Sequence, residues 1–400
     1  MILIATAGGV NVDAKLFAAM IADKKLYDLQ KIQYKYCVED VADFIELLKS
    51  TMYTVIPLRD FSGQKLVYLE NVTKVGMGAL KLLLSPQSSA AAFGIKAMED
   101  EIHSTLIIEN IESSRDSIRK ILNGYAPAGE SENRIYGMKK GLEFIADPEN
   151  KITEINLHQL YQITVGDFLD EENQQLLPGK MYRHGDVFIM GSKVEHQGLH
   201  HTQLPEYMAQ LMDFINRKDG INDLLKAAII HFYIGYLHPF FDGNGRTARL
   251  VHLWYLVQQG YSSALYVPFS SHIKDSQKSY YKAYSLTEQN AKISGIIDVT
   301  PFLVYFIENV YNRLETEKPK SDTFSIFQKL LDEGKITEKE RDLWNFVLSA
   351  YGTGEFSTKQ LERDFGNAAY ATVRGFVLKF EALGLLSGQK YANKNKYRIC

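Results

Sequence analysis

The stretch His238-Pro239-Phe240-Phe241-Asp242-Gly243-Asn244-Gly245-Arg246-Thr247-Ala248-Arg249 decides how this chain reads. It gathers an imidazole, a carboxylate, a glycine-flanked run of backbone N–H groups and two guanidinium groups into one turn and the helix start after it. The flanks set the local geometry. Upstream, Asp223 to Leu237 has no proline and carries apolar Leu224, Ala227, Ala228 and Ile234, which predicts a mostly buried helix. Pro239 stops that helix. Downstream, Thr247 to Gln259 is apolar and helix-forming, and Gly260 stands where a helix-ending residue belongs. The stretch is therefore expected at a helix-turn-helix corner, with Gly243, Asn244 and Gly245 opening the second helix. Unpaired N–H groups and a partial positive charge at a helix start, with glycines that admit close approach, make a phosphate seat.

Arg246 and Arg249 lie one turn apart on one face of that helix start, where cations oppose the helix dipole, so an anion is expected beside them. An isolated Arg-x-x-Arg would more simply pair with nearby carboxylates; the adjacent Gly-Asn-Gly favours phosphate. Gly243 to Ala248 formally fits the Gly-x-Gly-x-x-Ala dinucleotide fingerprint, but that fingerprint needs a preceding strand and the preceding segment reads as helix. Gly179-Lys180 and Gly334-Lys335 lack the Ser or Thr that follows the lysine of a Walker loop.

The stretch resembles the signature of the Fic family, His-x-Phe-x-(Asp/Glu)-Gly-Asn-Gly-Arg-x-x-Arg, at every specified position. The resemblance implies a mainly α fold, an all-helical core with a β-hairpin flap, and transfer of AMP from ATP to a hydroxyl side chain of a target protein. It implies His238 as general base and Asp242 as the residue that holds Mg²⁺. The Gly243 to Gly245 backbone with Asn244 would form an anion hole, Arg246 and Arg249 would grip the β- and γ-phosphates, and Phe240 would anchor the loop. The chemistry agrees, since transfer to a hydroxyl needs a base that works near neutrality, and the rest is positioning and charge neutralisation on phosphate. Doc-type relatives that transfer phosphate itself carry a lysine in the anion loop, which Gly243-Asn244-Gly245 lacks.

The resemblance extends to three other segments. Arg183 to Met190, leading through Gly191 to Gln203, is similar to the family's flap, where a target peptide would align along about residues 187–202 by adding a strand. His196, His200 and His201 in it are expected to be solvated loop residues, because no Cys or carboxylate completes a metal-binding spacing. Ser279-Tyr280-Tyr281 looks like the helix beside the family's adenine pocket, with no role assigned to either tyrosine. Thr105-Leu106-Ile107-Ile108-Glu109-Asn110 fits the family's inhibitory pattern (Ser/Thr)-x-x-x-Glu-(Gly/Asn). Thr105 and Glu109 share a helix face, and Asn110 suits a left-handed helix end. By the resemblance, Glu109 would engage Arg249 in the place of the γ-phosphate.

The chain has 400 residues, 46% hydrophobic, and a net charge of −3, which suits a globular protein of two or three domains and gives no global pull toward nucleic acid. Its two cysteines, Cys37 and Cys400, indicate neither a disulfide framework nor a Cys-based metal site, and a reducing cytoplasm fits. The initial Met-Ile-Leu-Ile-Ala-Thr-Ala is a poor signal peptide, and no apolar run is long enough to span a membrane.

Pattern breaks divide the chain into residues 1–94, an N-terminal α/β region; 95–314, the Fic-like core with its inhibitory helix; 315–334, a linker or exposed helix end; and 335–400, the tail. In the first region Val38 to Leu48 reads as helix, and Thr51 to Leu58 with Lys65 to Val72 as a hairpin turning at Ser62-Gly63. The tail reads as helices Thr337 to Tyr351, Ser357 to Phe365 and Ala368 to Leu383, then a hairpin turning near Asn393 to Lys396. Three helices and a β-wing resemble a winged helix. It has 11 Lys and Arg against 7 Asp and Glu over residues 335–400. If it binds DNA, Tyr370, Thr372 and Arg374 would enter the major groove and Lys390, Lys394 and Lys396 would meet phosphates; a protein contact is the alternative. A second copy of this chain is a further partner to consider.

Three functions fit. The first is a self-inhibited protein adenylyltransferase using ATP and Mg²⁺. The second is a DNA-binding regulator whose core senses nucleotide, and the third is removal of AMP from a modified target. Intact His238 and Asp242 favour an active enzyme.

Overall fold

The computed structural model describes residues 3–5, 11–76, 83, 95–169, 175–190, 194–317, 326–327, 329–331, 333–351, 355–366, 368–391 and 394–400. Asn222 starts the helix on which the others are built: its side-chain oxygen accepts from the N–H groups of Leu224 (3.0 Å) and Leu225 (3.4 Å). That helix, Asp223–Leu237, ends because His238 turns left-handed at φ 55° and Pro239 follows. Its partner, Asn244–Gln258, begins after Gly243 at φ 77°, and Gly260 at φ 89° takes the chain away from its end. The two helices pack against each other. Almost every residue of the first is buried, including His231 and Lys226, so it is enclosed on all sides rather than amphipathic.

Helices Glu130–Ala146, Glu154–Thr164, Leu204–Asn216 and Thr300–Asn309 surround this pair and share one apolar cluster with it. Fully buried Phe232, Phe240, Trp254 and Phe302 belong to that cluster, and each such side chain contributes about 1.5–3 kcal/mol. The fold is mainly helical, and the strands form four two-stranded antiparallel pairs among the described residues.

The N-terminal hairpin pairs Tyr53–Arg59 with Lys65–Leu69. Asp60 Oδ1 accepts from the N–H groups of Ser62 (2.9 Å) and Gln64 (2.8 Å), and Gly63 takes φ 86°. The expected second strand to Val72 stops earlier, at Leu69, because residues Glu70–Val72 form a 3-10 turn. Val67 ties the hairpin to the core: its N–H donates to Ile297 O (3.0 Å), and its carbonyl accepts from Val299 N–H (2.9 Å). Helices Ala14–Ile21, Leu29–Lys35 and Val38–Thr51 form a small cluster of their own.

The tail has a separate apolar core. Its helices are Glu338–Tyr351, Thr358–Phe365, capped by Ser357 Oγ on Gln360 N–H at 3.2 Å, and Tyr370–Ala382. Its strands Leu386–Tyr391 and Lys394–Ile399 pair in the register Tyr391↔Lys394. Lys394 and Lys396, expected within the turn, belong to the second strand, and residues 392–393 lie outside the described residues. The third helix starts at Tyr370 rather than Ala368, since Ala369 is extended. Of the expected linker, a 3-10 stretch Tyr311–Glu317 covers the beginning; residues 318–325, and Asn367 of the expected tight turn, lie outside the described residues. Helix Glu338–Tyr351 packs on helix Ile95–Ile108.

Candidate active site

The loop between the two central helices is held from within. The Phe240 ring is fully buried and stacks on Tyr161, with centroids 3.7 Å apart and planes at 7°. Asn244 Oδ1 accepts from Phe240 N–H (2.9 Å) and its Nδ2 donates to Phe240 O (2.8 Å). The Asn244 side-chain amide is therefore occupied within the loop itself. The turn leaves the Phe240 peptide groups buried without a helical partner, and the Asn244 amide satisfies both. What Asn244 leaves for an anion is its backbone N–H. Gly243 is required twice over, by its φ of 77° and because a side chain there would run into Val165. A side chain at Gly245 would collide with the Glu109 carboxylate, which lies directly over this helix start.

His238 is held by its backbone and its ring. Arg183 Nε donates to His238 O at 2.7 Å. His238 Nδ1 faces Gly235 O at 3.3 Å, a carbonyl that can only accept, so the hydrogen resides on Nδ1 and Nε2 keeps its lone pair. Burial pushes the His238 imidazole down to about 4, which leaves it neutral at physiological pH.

The two arginines differ in their partners. Arg246, 3% exposed, donates through Nη2 to Asp242 Oδ2 at 2.7 Å, while its buried Nε has no hydrogen-bond partner among the described residues. Arg249, also 3% exposed, donates through Nε to Thr105 Oγ1 (2.7 Å), and through Nη2 to Thr105 O (3.3 Å) and Glu109 Oε1 (2.6 Å). Burial alone would weaken the Arg249 guanidinium's hold on its proton; the Glu109 charge opposes this, and the net shift is upward. Thr105 lies in the last turn of helix Ile95–Ile108, Glu109 directly follows its end, and Asn110 turns the chain away at φ 57°. That helix is fastened by Glu101, a fully buried carboxylate that accepts from Ser270 N–H at 2.8 Å and from the Ser270 hydroxyl.

Glu109, His238, Asn244, Gly245 and Arg249 line one cavity of about 290 Å³ together with Ile189, His196, Tyr280, Tyr281, Tyr284 and Glu288, whereas Asp242 and Arg246 are not among its lining residues. Residues 148–256, which contain the His238 loop, match the family described as Fic/DOC family. This chain carries a Fic domain.

Among curated relatives, a protein adenylyltransferase Fic of Drosophila ananassae is 26% identical over 239 residues, which are 56% of this chain and 42% of that protein. The Drosophila willistoni protein of the same name is 25% identical over 186 residues, 45% of this chain and 32% of that one. The match thus spans less than half the length of these relatives. Of solved structures, a Fic family protein from Desulfovibrio desulfuricans G20 is 19% identical with a TM-score of 0.49, covering 82% of this chain and 97% of that one. Fic-1 from C. elegans is 17% identical with a TM-score of 0.48, covering 75% of this chain and 86% of its own.

In the Fic domain's flap, Phe188–Met190 pairs with Val194–Gln197 in the register Phe188↔Gln197 and Ile189↔His196; residues 191–193 lie outside the described residues. His196 is not a solvated loop residue. Its Nδ1 meets Glu288 Oε1 and its Nε2 meets Tyr236 O at 2.7 Å, so it closes the cavity wall. Arg183 had no assigned role, yet its buried guanidinium also donates to Gly185 O (2.5 Å) and to Leu199 O, one from each arm of the flap. Gly235 offered a signal that was missed, a lone glycine among bulky residues of a helix. A Cβ there would meet the Tyr284 hydroxyl oxygen at 2.5 Å.

Proposed function

We propose that this chain is a protein adenylyltransferase that moves AMP from ATP to a hydroxyl side chain of a target protein, and that Glu109 restrains it. The observation that carries the proposal is the single cavity shared by His238, the Gly245 helix start, Arg249 and Glu109. Neutral His238 takes the proton of the acceptor hydroxyl on Nε2 as the hydroxyl oxygen bonds to the α-phosphorus. The bond from that phosphorus to the bridging oxygen breaks, and pyrophosphate leaves with the electron pair. Backbone N–H groups at the helix start and the two guanidinium groups face the phosphate charge. The unpartnered Arg246 Nε suits a phosphate oxygen.

Asp242 has a side chain 47% exposed and shares Oδ2 with Arg246, so it offers the hard oxygen donor that magnesium takes. When bound, magnesium neutralises phosphate charge. Asp242 would hold it, with Arg246 steadying the carboxylate. The names of the curated relatives support the same reaction class. A target peptide would add a strand to the exposed flap, where Phe188 is 52% exposed.

Glu109 and a phosphate compete for one guanidinium. Hydrogen bonds to charged groups contribute about 1.5–3 kcal/mol, so Glu109→Gly should gain AMP more than about tenfold faster than the unaltered chain in intact-mass measurements with ATP and Mg²⁺. Equal rates in both would remove the restraint. No AMP on either chain or on any added hydroxyl target would remove the transferase proposal.

A second proposal concerns the tail alone, whose helix Tyr370–Ala382 exposes Tyr370, Thr372 and Arg374 at its start. We propose that it is a winged helix that contacts DNA through this face, with exposed Lys390 of strand Leu386–Tyr391 meeting a phosphate. Lys396 is paired with Glu355 at 3.3 Å, and the Lys394 side chain lies outside the described residues.

A further inference from the structure

The root of the flap carries a cluster that the nucleotide cavity does not use. Asp186 lies just before strand Phe188–Met190, and His200 and His201 lie just after strand Val194–Gln197. The antiparallel register Phe188↔Gln197 brings these two points of the chain together. Four further bonds keep them there. Gly198 N–H donates to Val187 O at 3.1 Å, Leu199 N–H donates to Leu237 O at 3.1 Å, and the Arg183 guanidinium holds a carbonyl of each arm.

Asp186 Oδ1 consequently lies 3.3 Å from His201 Nδ1 and 3.9 Å from His200 Nε2, and the three donor atoms are all within 4.8 Å of one another. The two imidazoles stack with centroids 4.5 Å apart. His200 Nδ1 bonds to Thr202 Oγ1 at 2.8 Å. With the hydrogen on Nδ1, that bond leaves the Nε2 lone pair facing the carboxylate. A separation of 3.9 Å is too long for a hydrogen bond. Donors about 2.0–2.2 Å from a central ion define a tetrahedron with edges of about 3.3–3.6 Å; the His201 pair at 3.3 Å matches that edge, and the His200 pair at 3.9 Å would close by a few tenths of an ångström around the ion. Two acceptor atoms aimed at one point attract a cation.

We propose that Asp186, His200 and His201 form a binding site for a first-row transition-metal ion, with Zn²⁺ the best fit. Two imidazoles and one carboxylate match zinc, leaving a fourth position for water or for a side chain of a docked protein. Magnesium prefers an all-oxygen shell, so this ion is distinct from the one Asp242 would hold. The Thr202 hydroxyl orients His200 as an outer partner orients a metal-bound imidazole. His201 binds through Nδ1, its hydrogen passing to Nε2 through solvent with no net proton exchanged. All three side chains reach solvent, at 37%, 53% and 30% exposure, which gives the ion a way in. The ion cross-links the two arms of the flap beside Arg183, which holds the carbonyl of His238. The site stands independently of adenylyl transfer.

The test uses the full chain without an affinity tag, in Mg²⁺ and without nucleotide. Calorimetric titration with Zn²⁺ should show one ion per chain, and Co²⁺ should give the visible absorption of a low-symmetry four-coordinate site. In His200→Ala/His201→Ala, zinc binding should weaken more than about 100-fold, beyond the loss typical of outer partners alone. Asp186→Asn, which keeps the side-chain shape, should abolish the cobalt bands while leaving the thermal midpoint without metal unchanged. Absence of stoichiometric binding in the unaltered chain, or binding that survives the double substitution, would overturn the site.

Discussion

The His238 corner and the tail's third helix have one feature in common: each helix carries basic side chains in its first turns, Arg246 and Arg249 in one and Arg374 in the other. They differ in burial. Asn244, Arg246 and Arg249 are 2–3% exposed, whereas Tyr370 is 40% exposed and Thr372 and Arg374 face solvent. A buried guanidinium is strongly unfavourable unless it is paired, so the corner must be completed by its own chain or by an anionic ligand. Thr105 and Glu109 complete it for Arg249. The tail makes no such demand, because Arg374 stays exposed to solvent. A local charge pattern thus lies in a buried corner in one place and on a solvent-exposed helix face in the other.

The sharpest way to break this contrast is His238→Ala. It should lower AMP transfer about 100- to 10,000-fold, the usual contribution of a general base, while ATP binding persists. Loss of binding together with transfer, in a calorimetric titration of the variant, would make His238 a structural group.

Acid should separate the two regions next. Burial holds His238 down to about 4, His252 to about 3, and His231 well below its ordinary value. The unfolded chain takes up these protons below about pH 6.5, so the stabilising contribution is complete above that pH and is lost as pH falls toward the folded values. Each histidine adds a slope of up to about 1.4 kcal/mol per pH unit. Residues 335–400 contain no histidine. Hydrogen exchange between pH 6.5 and 5 should therefore show protection falling in the Asp223–Leu237 helix more steeply than in Tyr370–Ala382. Equal slopes would contradict the burial argument.

The smallest expected effect lies on the exposed face. Arg374→Ala should weaken DNA binding by the full chain and reduce the slope of log affinity against log salt by about one, leaving AMP transfer unchanged. Fluorescence anisotropy at two salt concentrations measures this. No salt-dependent binding in the unaltered chain would favour a protein contact instead.

Much of this was legible locally. Stop signals around Pro239 and Gly260, and alternation with turn residues around Asp60 and Gly63, place their elements to within a few residues, because caps and turns act over three or four positions. The errors fall where a local rule met a longer-range one. Strand Lys65–Leu69 ends short of Val72 where the chain enters a 3-10 turn. His196 reads as polar loop in sequence and becomes cavity wall because Glu288, 92 residues away, bonds to it. The metal-binding spacing sought around His200 and His201 is absent along the chain; Asp186 arrives across the hairpin.

By itself, the sequence determined the His238 corner: imidazole, carboxylate, glycines and arginines fall within twelve consecutive residues, where backbone geometry alone sets their neighbours. Tertiary structure alone decided that Arg249 meets a carboxylate 140 residues distant, and that His238 is neutral. It also decided that the flap's aspartate and histidines converge. Pairing and desolvation arise from packing between remote segments, which a one-dimensional pattern does not record.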